Sequence, residues 1–543
     1  MRAFTSLHKT IVLAAGVFAS VPLSAEVTFE RILNADAEPH NWLSYSRTLS
    51  NQRYSPLDQI DTGNVANLEI AWIWQARSLE KFEATALVVD GVLYTVQAPN
   101  DVVALDAETG RVFWTYHHEP SPDARLCCGR VNRGLAILGD TLYMGTIDAY
   151  LLAIDAKSGT LVWKTKVAEA ADRYSITMSP NVIKDKVIVG TAGGDMGIRA
   201  FIAAFDAKTG EEVWRFYTIP GPGEPGNDTW LGDSWMTGGA AVWNAGAYDP
   251  ETNLAFWGTG NPAPDWDGST RLGDNLYSDA VVALDVDTGE LGWWYQFTPH
   301  DELDYDSTQV PVLADIEWRG EPRKVMLWAN RNGIMYVLDR VTGELLHGKP
   351  YVVHNWWAGF DENGRLLRKP GMEVTREPKV FQPHVHGAIN WQPPSFSPKT
   401  GLYYVSHWEN SSIVGIEGQF PQANGVNRRQ TAMGQVNLEP FFNNENEAYG
   451  VIRAYDPSTL DPVWEYRMAD ITWAGVLSTA GDLVFGGGRE GYFLALDART
   501  GELLWKQSLG GQINAGPMTY AVNGRQYVTI AAGSALFAFR LRD

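Results

Sequence analysis

In Thr298–Thr308, TPHDELDYDST, two carboxylates at Asp304 and Asp306 are separated by one residue. On extended backbone they point to the same side, where like charges repel unless a cation lies between them. An acidic surface loop has the same composition, so other residues must decide. GTGNPAPDWDG offers the amide oxygen of Asn261 after a glycine-rich turn, and TAGGDMGIR offers the carboxylate of Asp195. Such an all-oxygen set selects a hard cation, calcium or a lanthanide, whereas zinc would call for His or Cys. The ten histidines show no ligand spacing.

A second unusual segment is LCCGRVNRG, which holds both cysteines of the chain, Cys127 and Cys128. Adjacent cysteines cannot staple a loop. They form either a small, strained ring, because neighbouring Cα atoms sit about 3.8 Å apart, below the usual disulfide range, or a pair of reduced thiols. An oxidising compartment favours the ring, which presents a rigid flat plate.

Residues this far apart in sequence need a rigid frame, and an internal repeat supplies one. The pattern apolar-apolar-Asp-x-x-Thr/Ser-Gly-x-x-x-Trp runs Asp106–Trp114, Asp155–Trp163, Asp206–Trp214, Asp285–Trp293, Asp456–Trp464 and Asp497–Trp505, with a seventh copy from Asp339 that ends in His347. Each copy reads as strand, tight turn and strand. The starts are 49, 51, 79, 54, 117 and 41 residues apart, close to the spacing of four-stranded propeller blades plus insertions. The longest gap is expected to hide one more blade, begun by NWQPPSFSPKTGLYYVS at Asn390, which makes eight. NVANLEIAWIWQA, from Asn64, suits an extra strand that closes the ring and removes its free edges. The longest stretches without the repeat, Gly221–Met236 and His354–His386, are the loops expected to build a site over the ring.

The 22 Trp and 53 Gly suit aromatic packing units joined by tight turns, and a net charge of −21 argues against nucleic acid or an anionic membrane as partner. Arg2 and Lys9, the apolar run Ile11–Leu23 and Ser24-Ala25 read as a signal peptide over 1–25, leaving 26–543 as a propeller domain of the periplasm. No other run is long and apolar enough for a membrane span.

Along nearly its whole mature length the chain resembles the PQQ-dependent methanol and ethanol dehydrogenases, quinoproteins built on an all-β, eight-bladed propeller. The repeat, LCCGRVNRG, GTGNPAP and TPHDELDYD carry the likeness. The resemblance implies that pyrroloquinoline quinone (PQQ) lies between a Cys127–Cys128 disulfide and the indole of Trp243, with polar contacts from Glu83, Arg133, Thr177, Arg331, Asn390 and Trp473. It implies metal ligation by Asn261, Asp195 and Asp304. Asp304 matches the base that takes the alcohol proton as hydride passes to the quinone, assisted by Arg331. Asp306 matches the extra carboxylate of the lanthanide-dependent members, which favours a lanthanide over calcium. Two positions depart from the family pattern: Asp195 stands where Glu is usual, and Ala192 where Ser is usual. With no CxxCH haem motif in the chain, electrons are expected to pass to a soluble cytochrome c, a basic partner that the acidic surface could steer. A homodimer is left open. The rival readings are a dehydrogenase of polyols or other larger alcohols and a scaffold propeller without cofactor.

Overall fold

Each copy of the repeat forms the outer hairpin of a four-stranded antiparallel sheet, and its residues show why. In the first, Asp106 Oδ1 accepts the backbone N–H groups of Glu108 and Thr109, both at 3.0 Å. Gly110 follows with φ of 72°, a left-handed conformation that closes the turn between Asp101–Asp106 and Val112–His117. The tryptophan that ends each copy then docks on the next blade. Trp114 donates its indole N–H to Ala156 O at 3.1 Å and lies flat on Gly159, where an added Cβ would come within 2.5 Å of the ring. The same bond runs from Trp163 to Ala207 O, Trp214 to Val286 O and Trp464 to Ala498 O. At the seventh copy His347 stands in for tryptophan, with Nε2 3.2 Å from Thr459 O.

The computed structural model describes residues 26–416, 436–440 and 448–542, with backbone only for 436–440. The signal peptide expected over 1–25 lies outside the described residues. Eight sheets form the blades of a β-propeller, each of four antiparallel strands, with Tyr54–Ser55 added as a short parallel fifth strand on the blade of Leu477–Ser508. Leu68–Gln75 pairs antiparallel with Ala535–Leu541, so the two ends of the chain close the ring within one blade, as expected. In that blade Trp72 reaches Ala107 O of the first.

The expected position of the eighth blade needs correction. Ser395–Ser397 and Leu402–Glu409, in the segment begun at Asn390, pair with Tyr449–Tyr455 and Pro462–Met468. They are the inner half of the blade whose outer hairpin carries the Asp456 copy, not a blade of their own. The eighth blade is the closing one, Met518–Val522, Arg525–Ala532 and Ala535–Leu541 with Leu68–Gln75. The repeat marks only an outer hairpin. It therefore cannot reveal a blade whose outer strand comes from the other end of the chain, nor an insertion within a blade. Here Ser412–Ile416 and Val436–Pro440, two strands of a three-stranded sheet whose third strand is Lys379–Phe381, separate the two halves. Among the described residues no helix is long and apolar enough to cross a membrane.

Candidate active site

In an up-and-down blade, the turn from third to fourth strand lies at one end of the ring. The connection into the first strand and the turn from second to third lie at the other. Every candidate residue falls in the second class. Asp195, Asn261 and Arg331 sit between second and third strands. Glu83, the cysteine pair, Arg133, Thr177, Trp243, Asp304, Asp306, Asn390 and Trp473 precede first strands. The topology alone thus gathers them at the end opposite the Asp-x-x-Thr-Gly turns.

Arg331 is the hub of one group. It donates from Nη2 to Asp304 Oδ2 at 2.8 Å and from Nη1 to Asp306 Oδ2 at 2.7 Å, a fork that holds both carboxylates. Asp306 Oδ1 accepts the Asn261 N–H at 2.9 Å, and a Cβ added at the neighbouring Gly260 would come within 2.3 Å of that oxygen. The two carboxylates do not share a side by strand alternation, as their spacing suggested. Asp304 has a φ of 56°, so the loop is bent. Asp301 fixes the bend by accepting the N–H groups of Leu303 at 3.0 Å and Tyr305 at 2.7 Å, while Tyr305 donates its hydroxyl to Pro383 O. Arg331 is itself held by Val385 O, 3.0 Å from Nη2.

Burial, with Asp306, Asp195 and Asp301 nearby, holds the Asp304 carboxyl well above its ordinary range even though Arg331 pulls it down. Burial would weaken the charge on Arg331, but the facing carboxylates win and raise its pKa. Two carboxylates absent from the sequence-based set belong to the same field. Asp265 and Asp279 are fully buried, and neither oxygen of either one has a hydrogen-bond partner. Burial and neighbouring aspartates push both well up.

A second group forms around Arg133. Its guanidinium pairs with Glu83 at 2.8 Å, donates to Thr177 Oγ1 and Trp243 O at 3.1 Å each, and lies 4.7 Å from the centre of the Trp243 ring. Its Nε is buried without a partner. Burial raises the Glu83 carboxyl against the pull of Arg133. Cys127 and Cys128 are joined in a disulfide, half-buried at Cys127 and exposed at Cys128, which excludes a buried dithiol. Their sulfurs and an Asp195 carboxylate oxygen lie within 4.8 Å of one another.

Trp473 and Asn390 belong to a third group. Trp473 stacks on Trp391 at 4.6 Å, with planes 2° apart, and meets Trp408 edge-on at 4.4 Å. Asn390 donates to His386 O at 3.4 Å, and the His386 ring lies 6.2 Å from Trp473. Arg133 lies 5.8 Å from the Trp391 ring, which ties this group to the second.

Sequence reasoning therefore missed Asp265, Asp279, the turn-forming Asp301, and the wall of Trp391 and His386. Asp265 and Asp301 stand inside motifs singled out for their neighbours. Burial without a partner, the property that marks Asp265 and Asp279, has no sequence signal.

A propeller with these loops defines a quinoprotein dehydrogenase, and comparison with known proteins agrees. The family described as "PQQ: Glucose/ethanol/alcohol dehydrogenase, beta-propeller domain" matches residues 42–349 and 367–528. A quinohemoprotein alcohol dehydrogenase of Pseudomonas putida, ADH-IIG, is 40% identical over 94% of this chain and 75% of its own length. The quinoprotein alcohol dehydrogenase PedH of the same species is 36% identical over 96% and 91%. Among solved structures, a europium-containing methanol dehydrogenase superposes with a TM-score of 0.88 at 32% identity, covering 94% of this chain and all (100%) of that one. The chain belongs to the PQQ-dependent alcohol dehydrogenase family.

Proposed function

We propose that the chain oxidises primary alcohols of the methanol and ethanol class to aldehydes in the periplasm, using PQQ and one metal ion, a lanthanide rather than calcium. The observation that carries this reading is the Asp304–Arg331–Asp306 fork, set among buried carboxylates that lack partners. Such groups are costly to bury unless a cation meets them, and an all-oxygen set suits a hard one. Asp195, Asn261, Asp304 and Asp306 would hold the ion. PQQ, a planar tricarboxylate, would lie between Trp243 and the disulfide in this reading, which the unpartnered Arg133 Nε beside Trp243 supports as a donor to an anion. Glu83, Thr177, Asn390 and Trp473 complete its contacts in this reading.

When bound, the quinone supplies a hydride acceptor and the ion a Lewis acid. The chain does the rest. Asp304, whose pKa is raised by burial, is the base that accepts the alcohol hydroxyl proton, since a carboxylate closer to the working pH is a better base. Arg331 positions Asp304 and supplies positive charge where negative charge develops. The stacked Trp391 and Trp473 form an apolar wall suited to an alkyl chain. Electrons leave in this reading to a soluble cytochrome c. The europium-containing methanol dehydrogenase supports a lanthanide, and it and the 36%-identical quinoprotein alcohol dehydrogenase PedH support an alcohol substrate.

The test is dye-linked oxidation of methanol, ethanol and a longer alcohol by apoprotein supplied with PQQ, in parallel with lanthanum, calcium or no metal. Turnover with lanthanum supports the reading. Turnover with calcium alone makes Asp306 incidental, and no turnover in any arm defeats the reading.

A further inference from the structure

Asp265 follows Asn261 by four residues, in the loop between Leu254–Gly258 and Ala280–Asp285. Its side chain is fully buried, and neither carboxylate oxygen meets a donor. Through Arg271, which donates to both Asp265 O and Asp301 O, it is tied to the loop that carries Asp304 and Asp306, and the charges of Asp195, Asp304 and Asp306, three members of the metal-binding set, act on it. Arg271 does not hydrogen-bond to the Asp265 carboxylate. Its nitrogens donate instead to Pro264 O, Asn275 Oδ1, Asp265 O and Asp301 O. A buried carboxylate with neither donor nor ion pair costs several kcal/mol, and three like charges nearby add to that cost. The arrangement makes sense if a strong positive charge belongs at this place.

We propose that Asp265 is a further anion of the metal site, acting on the bound ion through space and setting the site's preference for a trivalent over a divalent cation. This rests on the reading of the site as a metal site given above. Asp195, Asp265, Asp304 and Asp306 gather around one guanidinium, that of Arg331, which pairs with only two of them. A trivalent ion offsets more of that excess of carboxylates than a divalent ion does, in a medium of low dielectric. Asp265 therefore discriminates by charge rather than by ion size. Asp195, a carboxylate near the disulfide sulfurs, stays a ligand candidate in this scheme.

The experiment uses the full-length apoprotein without PQQ and reads ion binding rather than turnover. Terbium binding is followed by luminescence sensitised through nearby tryptophan, and lanthanum and calcium binding by calorimetry. Wild type, Asp265→Asn and Asp306→Asn are compared. Asp265→Asn keeps the shape and deletes the charge. It is expected to weaken terbium and lanthanum binding by about tenfold or more while changing calcium binding less, so that the lanthanum-to-calcium preference falls. In the metal-free state the variant is expected to unfold at a temperature no lower than wild type, because the Asp265 carboxyl makes no hydrogen bond that the substitution could break. Should Asp265→Asn fail to fold, Asp265→Ser carries the same comparison. An unchanged lanthanum-to-calcium preference in a folded variant, with Asp306→Asn clearly weakened, overturns the proposal for Asp265 alone. If neither wild type nor Asp306→Asn shows specific binding of any ion, the metal site itself falls, and this proposal with it.

Discussion

The two ends of the propeller use the same side chain in opposite ways. At one end, aspartates close the blade turns. Asp206 is satisfied by the N–H groups of Lys208 at 2.9 Å and Thr209 at 2.8 Å, and the Thr209 N–H holds its carboxyl below the ordinary range. At the other end, Asp304 is buried among like charges and held well above that range, and Asp265 and Asp279 meet no donor. Where an aspartate only shapes the chain, local backbone satisfies it. Where it is left buried and unpaired, as Asp265 and Asp279 are, no donor of the chain offsets its burial, which is the mark of a functional position in the proposed reading.

Substitutions at the two ends should separate on that basis. Asp304→Ala is expected to lower turnover by about a thousandfold, the usual contribution of a positioned base, with PQQ still retained. Turnover near the wild-type rate would show that another group takes the proton. Asp306→Asn should follow, with a loss of about tenfold or more in lanthanum-supported turnover and a smaller loss with calcium, read as separate kcat and metal-saturation curves.

At the ring joints the expected effect is on stability. Trp114→Ala removes an indole and its bond to Ala156 O, and should cost about 3 kcal/mol of folding free energy. Ion affinity should stay unchanged, because the joint lies away from the site. A large loss of ion affinity in the folded variant would mean that the two ends are coupled.

The smallest effect belongs to a turn aspartate. With its folded pKa below the ordinary aspartate value, Asp206 contributes stability that is present above that value and lost as pH falls through the lower folded pKa. Asp206→Asn should therefore flatten the acid limb of the melting-temperature profile below about pH 4 and leave it unchanged near neutrality. A difference that grows toward neutral pH would contradict the role given to this turn.

How much could be read from the sequence follows the same division. The Asp-x-x-Thr-Gly-x-x-x-Trp copies encode local contacts, from Asp106 to Thr109 and from Trp114 to the next blade, so the ring and the seven blades with a copy were legible, while the eighth was sought at Asn390 and lies instead where the chain ends meet. The make-up of the Asn390 blade was not, because pairing between Leu402–Glu409 and Tyr449–Tyr455 spans an insertion that no local pattern reports. In the site, Asp304 and Asp306 were visible as a spaced pair, but the bend at Asp304 and the shared Arg331 were not. Asp265 was quoted within its motif without being recognised, since its meaning lies in the donors it lacks.

The most direct test of the division is PQQ retention. Metal-free apoprotein is mixed with PQQ, with and without lanthanum, desalted, and scanned for quinone absorbance and for quenching of tryptophan emission. Retention of one equivalent per chain, tighter with the ion and lost in Trp243→Ala, is the expected result. Wild-type protein that retains no quinone under any of these conditions would contradict it, and would leave the unpaired groups at that end of the ring without the ligand assigned to them.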